Sequence, residues 1–540
     1  MTDRLDSWKE IARCLNRSVR TVRRWKRQEG LPVHRHVHRA LASVYALKSE
    51  VAAWRQNHAL RPAPRTPVAD IAAGSVLSIA VLPFINLSVD PENAYFADGL
   101  TEEVTTILSQ VHALHVTSRT SSATFRGTKK GAKAIAAQLG VRYLLEGSVR
   151  RDVDCLRISA QLIDAVKDIH LWADAYDGTI GEIFAIQERI ARTIVDSLRL
   201  RLSANEEKQL GERPMSNLAA YDCYLRARSD GWRWRQDSIE RAVQLLQEAL
   251  SMIGANVRLY AALGLAHLQY REAGIDLSER PLLEAESCAS KLFALNGHSA
   301  AGLQLRGWIR YSRGLIQEAV HDLKAALDIE PNNADTLLLL TNCYLISGHV
   351  PSARPLLARL VAVDPMTPVT RCMPGFADIM EGRFDQAIEP YRQMYEMDRA
   401  NPMAHLFYVW VLILNRRIDE AATIGRGLQA ELRDTVPGRV ASFLYLAAAG
   451  KRIDAQAALP HTIDTTAKAT DLFPRFLAQG FALAGLPEEA LLWLKVAIDN
   501  GFINYPFLAQ HDPSFERLRS DARFNHLLED VRDRWMRFEA

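Results

Sequence analysis

The chain has little of what marks several common protein classes. Its 540 residues hold six cysteines, at 14, 155, 223, 288, 343 and 372, and no two of them form a C-x-x-C pair. Such spacing suggests neither a disulfide framework nor a zinc knuckle, and points to reduced, buried thiols. No apolar run approaches the roughly 18 residues that a membrane helix needs. The longest, FYVWVLIL at 407–414, is far too short. The first ten residues, MTDRLDSWKE, are charged and lack the apolar core of a signal peptide. A cytoplasmic protein with no membrane contact is expected, and the length suggests three or four domains.

Acidic residues are scarce in one place only. Residues 1–65 contain 15 Lys+Arg against 5 Asp+Glu, a net +10, whereas the remaining 475 carry 51 basic and 58 acidic residues, a net −7. A strongly basic head on a mildly acidic body implies that the head meets a polyanion.

Within the head, Ser7-Trp8-Lys9-Glu10 has the form of a capping box, and Trp8, Ile11, Ala12 and Leu15 follow at helical spacing. After a break at 16–18, Ser18 is placed to cap a second helix, VRTVRRWKRQE, that stops at Gly30. Val19, Val22 and Trp25 can face inward, while Arg20, Arg23, Arg24 and Arg27 fall at i, i+3, i+4 and i+7 on another face. Two short helices joined tightly, the second striped with arginine, suit insertion into a major groove. A solvated basic face is the plainer alternative.

GLPVHRHVHRA, at 30–40, sets His34, His36 and His38 at alternate positions. On a strand these share one face, with neighbours about 7 Å apart and the outer pair about 13 Å apart. One zinc with bonds near 2 Å could take two of them and would need ligands from elsewhere. A polar strand face near phosphate fits better, so no metal and no catalytic histidine is expected here.

The segment KEIARCLNRSVRTVRRWKRQEGLPV resembles the winged helix-turn-helix of the MerR and excisionase type. The resemblance implies that PVHRHVHRALASVYALK forms a wing hairpin and that SEVAAW opens a third helix, with Leu47, Val51 and Trp54 facing the core. It makes Arg20, Thr21, Arg23 and Arg24 the groove or phosphate contacts, with Arg35 and the wing histidines, His34 and His36 among them, touching backbone; Arg17, Ser18 and Arg27 complete the expected DNA-binding set. Ala40-Leu41-Ala42 supplies no Gly or Asn for a tight turn, which implies a looser loop between the wing strands.

Residues 59–75, with three prolines among small residues, read as a semi-stiff tether. Next come SIAVLPF as a buried strand, YFADGLTEEVTTILSQV as a helix, HVTSRTS as a strand and KAIAAQLG as a helix stopped by Gly140. VRYLLEGSVRR, LRISAQLIDA and HLWADAYD extend the sheet, and Ile183, Ile186, Ile190, Ile194 and Leu198 stripe a closing helix. AVLPFINLS, YFADGLTEE, LGVRYLLEGSVRR and QLIDAVKDIHLWADAYD, in that order, resemble the TolB amino-terminal-like domain. That module recurs beside helix-turn-helix, cyclase or kinase domains with helical repeats after it, and is usually accessory or sensory. No G-x-x-x-x-G-K-[ST], G-x-G-x-x-G or G-x-S-x-G occurs in this region. Asp98, Glu102 and Glu103 are read as acids enriched at a helix start. A small-molecule pocket in this domain stays open as an alternative, with catalysis as a third.

The rest of the chain repeats. Ala319, Ala353, Ala387, Ala421 and Ala455 stand 34 residues apart, Ala490 follows 35 further on, and Ala285 and Ala242 precede them. The phrase A-x-x-x-L…P, with Pro331 and Pro365, resembles tetratricopeptide (TPR) helical hairpins. Gly307 and Gly375 take the small position of the first helix. Residues 506–540 are expected to cap the stack, since an open solenoid end exposes apolar surface.

The expected fold is multidomain and mainly α: a winged helix-turn-helix at 1–58, a linker at 59–75, a small α/β domain at 76–205, a TPR solenoid at 215–505 and a capping segment at 506–540. The expected function is DNA-binding transcriptional regulation, with double-stranded DNA on the head and a protein or peptide on the concave face of the repeats. Homodimerisation stays open, and neither an enzyme activity nor a cofactor is expected. The alternative from another class is a TPR scaffold or signalling adaptor without DNA binding.

Overall fold

The computed structural model describes residues 4–14, 22, 26, 30–36, 43–51, 54, 77–152, 154–211, 215, 217–231, 235–459, 463–468, 470 and 472–540, with the backbone alone at 13, 35, 36, 43, 205, 209 and 466. It is mainly helical, at 67%. The chain divides into two compact units, residues 1–75 and 76–540.

In the first unit, strand β1 (Arg4–Leu5) pairs antiparallel with β3 (Ser43–Leu47), which also pairs with β2 (His34–His36). The expected hairpin strands are thus joined by a third that the sequence reading missed, because two residues carry no periodicity. Leu47 ends β3 instead of opening the following helix. Ser7 accepts from the Glu10 amide at 3.1 Å as expected of a capping box, but the Glu10 carboxylate reaches back to the Asp6 amide, at 2.8 Å. Ile11, Ala12, Val22, Leu31, Val33, Ala46 and Val51 form the buried core with Leu5, and Trp8 and Trp54 pack against it. Gly30 adopts the left-handed conformation, φ 67°, while the residues just before it lie outside the described residues.

The second unit starts with a mixed sheet. Strand β4 (Leu77–Val81) lies between β6 (Leu114–Val116) and β7 (Tyr143–Asp152), parallel to both, and β7, β8 (Cys155–Asp164) and β9 (Ile169–Thr179) continue it antiparallel. A short β5 (Ile85–Asn86) also pairs with β7. Strand β4, central among the parallel strands, is buried and almost continuously apolar. Helices Ala94–Ser109, Ala132–Leu139 and Ile183–Ser197 are the expected ones, and all five residues of the predicted stripe 183–198 are buried. HVTSRTS is a strand only to Val116, because Ser118 then caps a short helix, Arg119–Ala123.

Helical hairpins follow to residue 499. Each of the eight anchor alanines lies in the second helix of a hairpin, at 1% exposure or less. A Cβ added to Gly307 would meet Leu323 Cγ at 2.8 Å, and one at Gly375 would meet the Ala387 backbone at 3.2 Å, so the small position is a real approach between paired helices. The turn between paired helices repeats too. Gly314, Gly348, Gly382, Gly450 and Gly485 all have φ between 72° and 80°, and Arg416 (φ 59°) takes the same conformation where the others have glycine.

Residues 502–540 do more than cover the end of the stack. Ile503 N donates to Ile346 O at 3.1 Å, Asn504 Nδ2 donates to Leu345 O at 2.9 Å, and His349 stacks on Phe538 with ring centroids 4.7 Å apart. A Cβ at Gly348 would lie 2.9 Å from Asn504 Oδ1, and one at Gly382 would lie 2.6 Å from His511 Nδ1. The carboxyl-terminal segment therefore runs back across the turns of the middle repeats. A simple end cap would leave those turns to solvent.

Candidate functional site

Three places in the molecule bring chemistry-bearing side chains together. The first is the basic head. Arg17, Ser18, Arg20, Thr21, Arg23, Arg24 and Arg27 lie outside the described residues. Arg35 and His36 sit on β2, in register with Val44 and Ser43, and their side chains lie outside the described residues. His34 is described and half exposed. Its Nε2 is 2.7 Å from Glu50 Oε2, and its ring lies 5.1 Å from that of Tyr45. His34 is therefore engaged with a carboxylate of the next helix, which the wing reading did not foresee. Lys26 Nζ donates to the Val33 carbonyl, just before β2. Among the described residues no group of three or more His, Cys, Asp and Glu is placed to hold a metal.

The second place corrects the reading of Asp98, Glu102 and Glu103. Their helix starts at Ala94 and has no acid in its first turn, so the dipole does not explain them. Glu102 accepts from Arg228 Nε at 2.8 Å and lies 3.2 Å from Arg119 Nη1. Glu103, 2% exposed, pairs with Arg258. Nearby, Asp222 takes Tyr95 and, at 3.0 Å, Arg151 from the sheet domain, and Arg226 at 2.8 Å from its own helix. At the far end Asp364 accepts from Ser118 and from Ser121 Oγ at 2.6 Å, and Ser118 N donates to Val363 O at 2.7 Å. These bonds dock the sheet domain along one edge of the repeats. Burial alone would raise the Glu102 carboxyl, but the Arg228 and Arg119 guanidiniums outweigh it and hold Glu102 below the usual carboxylate range.

The third place is a cavity of about 320 Å³ inside the repeats. First helices of four hairpins, Ala334–Ile346, Pro368–Met380, Pro402–Leu414 and Leu472–Leu483, supply most of its wall, and the segment after residue 500 closes it. The rings of Phe376, Trp410, Phe476, Phe502, Phe507 and Phe515 dominate the lining. One polar chain crosses the wall. Trp410 Nε1 donates to Gln479 Oε1 at 2.9 Å, Gln479 Nε2 donates to Asp512 Oδ2 at 2.7 Å, and Asp512 Oδ1 accepts from Ser514 N at 2.9 Å. Burial pushes the Asp512 carboxyl up, against the hydrogen bonds that lower it. Nothing in the sequence pattern signals this cavity, since its lining residues satisfy the ordinary pattern of a helical core.

The fold thus defines a helical-hairpin solenoid with a sheet domain docked on it. Residues 311–369 match the family described as Tetratricopeptide repeat. A curated relative, "Putative adenylate cyclase 3" of Rhizobium meliloti (strain 1021), is 40% identical over 212 residues, 39% of this chain and 35% of the relative. The chain so spans about a third of that relative's length. Among solved structures, a TPR protein of Parabacteroides merdae ATCC 43184 aligns at 13% identity and TM-score 0.33, covering 51% of this chain and 99% of that one. A thermophilic TPR protein of Thermus thermophilus aligns at 18% and 0.30, covering 36% and 99%. TolB from Acinetobacter baumannii aligns at 19% and 0.18, covering 23% and 29%. TPR repeats point to protein partners, and no helix among the described residues is long and apolar enough to cross a membrane.

Proposed function

We propose that the protein is a cytoplasmic DNA-binding regulator whose head docks on duplex DNA and whose repeats engage a protein partner. The observation that carries the DNA half is the charge asymmetry, +10 in residues 1–65 against −7 in the rest, with the arginines of 20–27 at helical spacing. The three-stranded sheet of the head supports it, because β2 and β3 pair as the strands of a wing would. In this reading Arg20, Thr21, Arg23 and Arg24 meet the groove or its phosphates, Arg17, Ser18 and Arg27 flank them, and His34, Arg35 and His36 approach the backbone from the wing. His34 would give up its Glu50 partner to do so, which makes it the weakest contact of the set. The partner half rests on the repeats. Residues 502–515 close part of their inner side, so a partner on the concave face meets the chain's own carboxyl-terminal segment there. Cyclase activity belongs to the name of the Rhizobium relative and is not carried over to this chain.

A salt titration of duplex binding tests the reading. With roughly five phosphate contacts, log Kd against log salt should have a slope magnitude near 4 to 5. Deleting residues 1–65 should abolish binding. Arg23→Ala should cost about 1–3 kcal/mol if that side chain reads a base. Absence of binding at about 50 mM salt favours the scaffold alternative, and full binding by the truncated chain removes the head from the reading.

A further inference from the structure

We propose that the cleft between the repeats and the carboxyl-terminal segment is a binding site for a small aromatic molecule. Its volume, about 320 Å³, lies at the lower end of the range of ligand pockets.

The wall selects the class of occupant. Phe376, Trp410, Phe476, Phe502 and Phe515 are each at most 7% exposed, so neither an extended peptide nor a helix can reach their faces. A compact ring can, and offset or edge-to-face packing on these side chains favours it. Arg475, 9% exposed, lies in the same wall with its guanidinium 4.9 Å from the Phe502 ring centre and 5.7 Å from that of Phe376. These cation–π contacts fix Arg475 in the wall. Trp410, Gln479 and Asp512 are hydrogen-bonded to one another, so that stretch of the wall needs no water to complete it. Glu272 and Val369 are exposed members of the lining and mark the mouth.

The site lies in the repeats, whereas the sequence had left a small-molecule pocket open in the sheet domain.

The test uses the full-length chain with indole and naphthalene as probes, followed by calorimetric titration. Saturable binding at one site per chain is expected. Val369→Trp places a bulky ring at the exposed mouth, and should weaken binding at least tenfold while the circular dichroism melt stays unchanged. A second measurement does not depend on that variant. Cys372 lines the cavity, and burial pushes its thiol up to about 12, so its alkylation rate reports access to the cavity. Saturating indole should slow alkylation of Cys372 severalfold, read by mass spectrometry, and leave the exposed Cys14 and Cys155 unaffected. No saturable binding of either probe means a water-filled void and overturns the proposal. Binding that survives Val369→Trp, or that leaves Cys372 alkylation unchanged, places the ligand elsewhere and overturns it equally.

Discussion

Two seams hold the second unit together, and they are built from opposite materials. The sheet domain docks on the repeats through ion pairs and hydroxyl–carboxylate bonds: Glu102 with Arg228, Glu103 with Arg258, and Asp364 with Ser118 and Ser121. The carboxyl-terminal segment closes on the repeats through rings and a buried amide: Phe502, Phe507, Phe515 and Asn504. Burial of apolar area is non-directional and tolerates small shifts. A charged seam demands register, because one missing partner leaves a charge buried alone. If this contrast holds, the first seam should mainly fix where the domain sits and the second should supply more of the cohesion.

Four measurements would sharpen or break that contrast. The largest effect is expected in the apolar seam. Phe507 is 1% exposed, so Phe507→Ala should cost about 3–5 kcal/mol in urea unfolding and raise hydrogen exchange across 502–515 first. A loss under about 1 kcal/mol would mean that the segment is only draped on the repeats.

Next comes the polar seam. Arg258→Ala leaves Glu103 buried without its partner and should cost about 2–4 kcal/mol, near the low side for a buried pair because the guanidinium is about a quarter exposed. Replacing both residues by leucine should recover most of that loss. If the double variant is as unstable as the single one, the pair contributes cohesion and not only position.

Acid should separate the two seams in sign. Glu102 has a depressed folded pKa, so its contribution is complete above the unfolded value near 4.5 and is lost as pH falls through the folded value. Asp512 has a raised one, so its contribution is complete below 3.8 and is lost as pH rises through the folded value. As pH falls from about 5 to about 3.5, hydrogen exchange should therefore speed up in Ala94–Ser109 before it does in 502–515. The reverse order would break the assignment of charge to one seam and rings to the other.

The smallest effect tests the turns between paired helices. Among the described turns, Arg416 carries a side chain where the five others named above have a left-handed glycine. Arg416→Gly should stabilise the chain by roughly 0.5–1 kcal/mol, the strain relieved exceeding the entropy lost. Gly348→Ala should destabilise by more than a bare turn would, since Asn504 and Trp535 lie against it.

Local features of this molecule were legible. The 34-residue spacing of alanine marked the second helix of the hairpins, because a helix pair needs a small residue at the same point in each repeat. Gly140 stopped a helix where expected, at positive φ, and Gly30 has the positive φ expected of it. Where the reading of acids failed, it failed for one reason. Glu102 and Arg228 are 126 residues apart, so no window of sequence contains both, and a helix-dipole account filled the gap. His34 is a milder case: Glu50 is 16 residues away, beyond the partner strand.

By itself the sequence determined the elements and the charge balance: where helices start and stop, which face of each is apolar, and that positive charge gathers in residues 1–65. Those are set by short-range sterics, periodicity and composition, which act within a few turns of chain. Only the tertiary structure decided that the acids of the Ala94–Ser109 helix dock a domain, that the carboxyl-terminal segment folds back over the middle repeats, and that doing so encloses a cavity lined by rings. Each of these depends on residues far apart in sequence coming within a few ångströms, and no local rule encodes which of the many acids, arginines and phenylalanines will meet.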